Sequence, residues 1–140
     1  IRFTEKLVSP QGEWGIRLSG DDQAVAIASV SEDSCVFLIG QNGKGTLRAM
    51  SGFAPNKSTG GSGKLAMKTT GLVGAVTARP EDEIFLISQL GKIIRFRADE
   101  VPVSEGAVQG VNCMGLRGDE VSAVLNSSLE TPSNDLFEHR

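Results

Sequence analysis

The chain has few of the residues from which most enzyme active sites are built. Its 140 residues include no tyrosine and one histidine, His139, next to the C-terminus. A Ser-His-Asp or Cys-His triad would therefore depend on a base at a frayed end of the chain. The two cysteines, Cys35 and Cys113, lie far apart in apolar runs, and no Cys-x-x-Cys or Cys/His cluster indicates a metal site. The sequence predicts no catalytic residue, no metal and no cofactor, and two buried free cysteines.

Long hydrophobic runs are also absent. The longest apolar runs, such as Ala24–Ala28 and Cys35–Ile39, have the length of strands. Spanning a bilayer takes about 20 apolar residues, so we expect no membrane-spanning segment and no membrane partner.

Acidic residues are missing from one long stretch, residues 41–80. This stretch carries a charge of +6, whereas the other residues together carry −9 and the whole chain carries −3. A protein that is acidic overall can still present one basic face to a polyanion. The alternative is that these basic side chains only solvate a surface. The basic residues of the stretch are Lys44, Arg48, Lys57, Lys64, Lys68 and Arg79.

One sequence unit of 48 residues recurs almost three times. Val36–Lys44 matches Ile84–Lys92 at an offset of 48, and Gln11–Asp22 matches Gln109–Glu120 at an offset of 98. Each unit consists of four short apolar runs separated by turns rich in glycine and aspartate, which is typical of strands and hairpins. Helical periodicity is confined to one predicted turn at Ala98–Val101.

Four strands per unit at this period are typical of a propeller blade. The sequence predicts an all-β propeller of about three four-stranded blades, its ring completed by more chain or by a second copy. Because the units are split at both ends, Val121–Arg140 is expected to pair with Ile1–Leu18 in one blade. The predicted divisions are a half blade at 1–23, blades at 24–71 and 72–119, and a half blade at 120–140.

These repeats resemble the C-terminal DNA-wrapping domain of bacterial type IIA topoisomerase A subunits, those of DNA gyrase and topoisomerase IV. Three ordered features carry the resemblance, and together they cover nearly the whole chain. They are the apolar run with Gly-Lys at Phe37–Thr46 and Phe85–Phe96, the stretch Gln109–Val121, and the glycine-rich loop Gly60–Lys64. The resemblance implies a β-pinwheel, in which neighbouring blades exchange strands, and a bacterial cytoplasmic, nucleoid-associated protein.

The resemblance also implies a function, namely non-catalytic, sequence-independent binding and bending of double-stranded DNA around a basic rim. The expected partners are duplex DNA and either the topoisomerase catalytic core or a second copy of the chain. Lys44 and Lys92 are expected at the same height on neighbouring blades, and Arg95 and Arg97 on one strand face with Phe96 turned into the core. The expected DNA-binding residues are Lys44, Arg48, Lys57, Lys64, Lys68, Lys92, Arg95 and Arg97.

One loop departs from the family pattern. The gyrase members carry the box Gln-Arg-Arg-Gly-Gly-Lys-Gly, which supports tight wrapping, and the matching segment here keeps three glycines but neither arginine. That segment is Lys57-Ser58-Thr59-Gly60-Gly61-Ser62-Gly63. The departure favours a degenerate blade, a topoisomerase IV-like domain or a stand-alone relative. It also leaves open a second class of function, a protein-interaction propeller that has lost DNA binding.

Two further features have alternative interpretations. The Gly60–Lys64 loop either brings backbone amides close to a DNA phosphate or is a plain hairpin loop. Trp14, the one tryptophan, either fills the core between blades or stacks on a base.

Overall fold

A computed structural model describes residues 16–31, 33–53, 63–69 and 71–130 of the chain. Two single turns of 3-10 helix, Met50–Gly52 and Ala98–Glu100, and one four-residue α-helix, α1 (Ser127–Glu130), accompany the strands. The strands are β1 (Cys35–Gly40), β2 (Lys44–Ala49), β3 (Leu72–Ala78), β4 (Glu83–Ser88), β5 (Ile93–Arg97), β6 (Val103–Ser104), β7 (Val111–Asn112) and β8 (Val121–Asn126). The predicted all-β fold is confirmed, as is the helical turn after β5. The expectation that this is the only helical turn is wrong, because Met50–Gly52 and α1 are helical as well.

The strands form two sheets. In the first sheet the order is β3-β1-β2, and both β6 and β7 pair with the outer edge of β2. In the second sheet the order is β5-β4-β8. All pairings are antiparallel apart from that of β2 with β6, which is parallel.

Each sheet is built on a hairpin that borrows a strand from the next sequence unit. β3 pairs with β1 and β8 pairs with β4, with Phe37 opposite Val76 in one sheet and Phe85 opposite Leu125 in the other. Both pairings show an irregularity at the same place, after Ile39 and after Ile87. The sequence repeat is therefore also a structural repeat. The first sheet is completed by β3, β6 and β7, which all lie within residues 72–119. The sheets therefore do not coincide with the sequence divisions 24–71 and 72–119, and those divisions remain a prediction.

The core lies between the two sheets. The side chains of Phe37 and Leu47 from the first sheet and of Leu86 from the second are fully buried there. The rings of Phe37 and Phe96 pack edge to face across the core, with their centroids 5.7 Å apart. Gly74 in β3 allows the close approach of β8, because a Cβ at this position would lie 2.8 Å from Cγ1 of Val124.

The segment before β1 differs from the prediction. Ala24–Val30 is the first of the four apolar runs in the predicted blade 24–71, so a strand is expected there. It forms no strand and is largely exposed. The reason is topological. Its counterparts β3 and β8 pair with the hairpin of the preceding unit, and the described residues contain no hairpin that precedes Ala24–Val30.

Several expectations concern residues outside the described ranges. One is the position of Trp14. Another is the pairing of Ile1–Leu18 with Val121–Arg140, because the structure describes only residues 16–18 of the first segment and 121–130 of the second. Within the described part of Val121–Arg140, β8 pairs with β4. The longest helix in the described part of the chain, α1, has four residues, so none of the described helices can span a bilayer. Cys35 and Cys113 are free and half buried, and burial raises the pKa of the Cys113 thiol to about 11.

Candidate nucleic-acid interface

The tips of the two hairpins have the same local geometry. Gly43 and Gly91 have φ angles of 83° and 90°, and each donates its N–H to the carbonyl three residues earlier at 3.1 Å. A three-residue hairpin loop that ends in a left-handed glycine gives this pattern, and glycine adopts that φ without strain. Lys44 and Lys92 follow these glycines directly. They therefore occupy equivalent positions on neighbouring sheets.

The first hairpin tip is clamped on several sides. The N–H of Gln41 donates to the carbonyl of Gly71 at 2.7 Å, and the carbonyl of Gln41 accepts from the N–H of Val121 at 3.0 Å. The carbonyl of Gly43 accepts from the N–H of Cys113 at 2.9 Å. Lys44 is thus half buried on a tip that is tied to both sheets.

The second hairpin tip is more open. The N–H of Gln89 donates to the carbonyl of Glu120 at 2.9 Å, and Oδ1 of Asp119 accepts from the N–H of Leu90 at 3.1 Å. A hydrogen bond from the Ser88 side chain, backbone donors and the nearby charge of Lys92 lower the pKa of Asp119. Lys92 is exposed. Its ammonium is available to a ligand, although the ionised Asp119 reduces the local positive potential.

Arg48 lies inside the fold, so the expectation that it contacts DNA is wrong. Arg48 is 3% exposed, and its guanidinium donates hydrogen bonds to the carbonyls of Ala66 at 2.7 Å and Glu105 at 3.0 Å. The guanidinium also lies over the Phe53 ring, 4.2 Å from the centroid, and burial lowers its pKa. Its Nε has no hydrogen-bond partner. Arg48 therefore holds two loops on the first sheet instead of facing solvent.

A sequence signal for this burial was present. The 48-residue offset that matches Lys44 with Lys92 also matches Arg48 with Phe96. Phe96 packs against the core, and side chains at equivalent strand positions point to equivalent sides of their sheets. Positive charge alone assigns Arg48 to the DNA-binding residues. The alternation of side chains along a strand assigns it to the same side as Phe96 instead.

Arg95 and Arg97 have the predicted arrangement on β5. Both are exposed, and Ile94 and Phe96 between and beside them turn toward the core. Each arginine has an acidic neighbour: Nη1 of Arg95 lies 3.8 Å from Glu83, and Nη2 of Arg97 lies 2.7 Å from Asp99. Exposed ion pairs are worth at most about 1 kcal/mol, so a phosphate could compete for these guanidinium groups.

Lys64 and Lys68 lie on a third segment and are both exposed. Between them Met67 is buried, which fixes the segment against the fold. The N–H of Lys68 donates to the carbonyl of Val108 at 2.8 Å, and Nη1 of Arg48 donates to the carbonyl of Ala66. Within the described residues, two expected DNA-binding lysines are thus held on a fixed backbone.

Lys57 and most of the loop that matches the gyrase box lie outside the described residues. Of the segment Lys57–Gly63 the structure describes Gly63, which has a φ of 77°. Three exposed arginines of the described residues, Arg17, Arg79 and Arg117, are not among the expected DNA-binding residues. Arg117 lies two residues before Asp119, next to the second tip, and Arg79 lies in the turn between β3 and β4.

A cavity of about 330 Å³ opens near that turn, between it and the turn before β1. Burial would raise the pKa of Asp82 at this place, but hydrogen bonds from Asn126, the N–H of Arg79 and Ser128 lower it overall. Nδ2 of Asn126 also donates to the carbonyl of Thr77 at 2.8 Å. Asp82 is therefore a structural carboxylate that ties β4 to β8 and to the β3–β4 turn. The lining residues are Ser31, Ser34, Thr77, Ala78, Arg79, Asp82 and Ser128.

Repeated hairpins that exchange strands with the next unit define a β-pinwheel type of repeat domain, here with lysines at its hairpin tips. The chain is homologous to the C-terminal domain of the DNA gyrase A subunit. It is 32% identical over 144 residues to the DNA gyrase A protein of Pseudomonas aeruginosa, covering 96% of this chain and 16% of that protein. With the DNA gyrase A protein of Salmonella typhimurium the identity is 31% over 129 residues, covering 86% of this chain and 15% of that protein.

Solved structures show the same relationship. A DNA gyrase A C-terminal domain superposes with a TM-score of 0.75 at 27% identity, covering 81% of this chain and 40% of that chain. The C-terminal domain of a DNA topoisomerase IV shares the fold, with a TM-score of 0.66 at 18% identity, over 92% of this chain and 43% of that chain. No family model matches the chain. The chain thus spans about a sixth of the gyrase A proteins and less than half of either solved domain.

Proposed function

We propose that the chain is a non-catalytic accessory module of a type IIA topoisomerase, or a stand-alone relative, that binds and bends double-stranded DNA without reading its sequence. The observation that carries the proposal is the equivalent placement of Lys44 and Lys92 after the same hairpin turn on neighbouring sheets. Cations repeated at one height follow a curved line, and a bent duplex presents its phosphates along such a line. The homology to gyrase A C-terminal domains supports the same function.

The proposed mechanism is electrostatic. Lysines that contact phosphates release counterions, which favours binding to any sequence and makes affinity fall steeply with salt. The lysines Lys44, Lys64, Lys68 and Lys92 carry the proposal among the described residues, because none of them is fully buried. Lys57, Arg95 and Arg97 complete the proposed set, and Arg48 is left out because it is buried.

A salt titration of duplex binding tests the proposal. The double variant Lys44→Glu with Lys92→Glu should bind every duplex more weakly. It should also lower the slope of log affinity against log salt by about 0.9 for each phosphate that is no longer neutralised. The matched control compares the single variants Lys92→Glu and Arg79→Glu, which change the charge equally at opposite ends of the second hairpin. We expect the Arg79 variant to bind as well as the unmodified chain.

The second candidate function is a protein-interaction propeller. The observation that favours it is that Arg95 and Arg97 already have acidic neighbours, while the segment matching the gyrase box lacks both arginines. Undiminished DNA binding by the double lysine variant, or a strong preference for one DNA sequence, would contradict the proposed wrapping mechanism. An unmodified chain that binds no duplex even at low salt would move the assignment to the protein-interaction class.

The proposed partners are duplex DNA and either the catalytic core of the topoisomerase or a second copy of the chain that completes the ring. Cleavage and religation of DNA would then belong to other domains. We propose the bacterial cytoplasm, at the nucleoid, as its location, in keeping with the similarity to bacterial DNA gyrase.

A further inference from the structure

The turn between β4 and β5 presents an exposed apolar side chain at its apex. Leu90 is 74% exposed, and the 48-residue offset matches it with Asn42 at the apex of the first hairpin. Oδ1 of Asn42 accepts a hydrogen bond from the N–H of Lys44 at 3.1 Å and so stabilises the first turn. In the second turn the N–H of Lys92 donates to Oγ of Ser88 at 3.0 Å. The side chain of residue 90 is therefore not needed to hold its turn.

The exposure of Leu90 does not depend on whether a further blade follows the second sheet. Ile93 on the same hairpin is 65% exposed, but its counterpart Gly45 is buried on the face of the first sheet that the second sheet covers. The counterpart of Leu90, Asn42, stays exposed although its sheet is covered in this way. A blade packed on the second sheet would therefore bury Ile93 and leave Leu90 in solvent.

The backbone around Leu90 is held on both sides. The N–H of Leu90 donates to Oδ1 of Asp119 at 3.1 Å, and the N–H of Gln89 donates to the carbonyl of Glu120 at 2.9 Å. The N–H of Gly91 closes the turn on the carbonyl three residues earlier, at 3.1 Å. An apolar side chain on such a fixed support loses little conformational freedom when it enters a binding site.

The surroundings of the second tip are open and carry two cations. A Cβ at Gly91 or at Gly118 would meet no atom within 4 Å. Lys92 and Arg117 are both exposed, and the nearby carboxylate of Asp119 accepts hydrogen bonds from two backbone N–H groups. The cations match a polyanion, whereas an apolar apex gains nothing from phosphates. A DNA duplex offers both partners, because its stacked bases lie between two phosphate backbones.

We propose that Leu90 is a wedge that enters a base step of the duplex from the minor groove and kinks it, while Lys92 neutralises a phosphate beside that step. Leucine is among the apolar residues that DNA-bending proteins insert between bases, and such wedges kink the duplex by about 20–90°. The wedge contacts no base edge that carries sequence information, so it agrees with binding to any sequence. This inference rests on the proposed function, because only a chain that binds duplex DNA can insert the wedge.

Two short duplexes of otherwise equal sequence test the wedge. One is fully paired, and the other carries a central mismatch, which lowers the free energy needed to unstack the bases. The full unmodified chain should bind the mismatched duplex about tenfold more tightly. A 2-aminopurine placed beside the mismatch should become more fluorescent on binding, because its fluorescence rises when the base is unstacked.

Variants of the apex separate the wedge from the phosphate contacts. Leu90→Asn installs the residue of the first tip, and it should lose most of the preference for the mismatch and the fluorescence rise while it keeps the salt slope. Leu90→Met remains apolar and should retain both signals. The matched control, Lys92→Glu, should bind both duplexes more weakly and lower the salt slope by about 0.9, with the preference for the mismatch unchanged. Because Leu90 is exposed, both Leu90 variants should unfold at the temperature of the unmodified chain.

The outcomes distinguish the wedge from the proposed function. Loss of both signals in Leu90→Asn and their retention in Leu90→Met support the wedge. An equal preference for the mismatch in Leu90→Asn and the unmodified chain would overturn it, since general bending of a more flexible duplex would then account for the preference. Absence of a fluorescence rise with the unmodified chain would also overturn the wedge, and in both cases the salt-dependent binding would still support the proposed function. A chain that binds neither duplex at low salt would overturn both.

Discussion

Arg48 offers the sharpest test of the structure, because two assignments of its role predict opposite results. As a phosphate contact it would contribute to DNA binding and little to folding. In the structure its guanidinium is buried, donates to backbone carbonyls of two loops and covers the Phe53 ring. We therefore expect Arg48→Met to destabilise the fold and to leave the salt dependence of DNA binding unchanged.

The magnitude follows from the contacts. Hydrogen bonds from a charged donor contribute about 1.5–3 kcal/mol each, and a cation over an aromatic ring about 0.5–2 kcal/mol. Methionine retains much of the apolar packing, and the carbonyl of the exposed residue Glu105 can turn to water, which offsets part of the destabilisation. A net destabilisation of ~3 kcal/mol is expected. With a urea m-value of ~2 kcal/mol/M, the unfolding midpoint should fall by ~1.5 M.

The assay combines urea unfolding followed by circular dichroism with a salt titration of duplex binding below the unfolding midpoint. Arg48→Lys keeps the charge but not the planar fork, so it should lose much of the same stability. Arg97→Met removes an exposed ion pair and should cost less than ~1 kcal/mol. A stable Arg48→Met chain whose salt slope falls by about 0.9 would refute the assignment of Arg48 to the interior.

Two other predictions concern folding. Because the pKa of Asp82 is lowered in the folded state, its contribution to stability is present above its unfolded pKa of about 3.9 and is lost as pH falls toward the folded value. The urea unfolding midpoint of the unmodified chain should therefore fall between pH 7 and pH 3. In Asp82→Asn this fall should be smaller, and a fall of equal size would contradict the structural role of the Asp82 carboxylate. Gly43→Ala should destabilise more than Gly91→Ala in thermal unfolding. Both glycines have a left-handed φ, which strains an alanine. A Cβ at Gly43 would also lie 2.3 Å from the carbonyl oxygen of Met114, whereas a Cβ at Gly91 would meet no atom within 4 Å. Equal destabilisation by the two variants would contradict the clamped first tip.

Much of the fold could be predicted from the repeat, because hairpins and turns are local. The apolar run, the Gly-Lys turn and the following run at Phe85–Phe96 form the second hairpin, and the side-chain alternation around Phe96 is as expected. The pairing of β6 and β7 with β2 could not be predicted in this way, since it joins residues far apart in sequence. Ala24–Val30 shows the same limit. An exchanged strand takes its structure from a hairpin elsewhere, so its own apolar pattern does not suffice to form a strand.

For the candidate site, the sequence predicts which side chains are charged, but packing decides which of them a ligand can reach. By the 48-residue offset, Arg95 and Arg97 stand where the first sheet has Leu47 and Ala49. Leu47 is fully buried because the second sheet covers that face of the first sheet. If another blade covered the second sheet in the same way, both arginines would enter the interface between blades together with Glu83. DNA would then depend on the hairpin-tip lysines, whose position beyond the strand ends leaves them accessible whether or not the ring is closed.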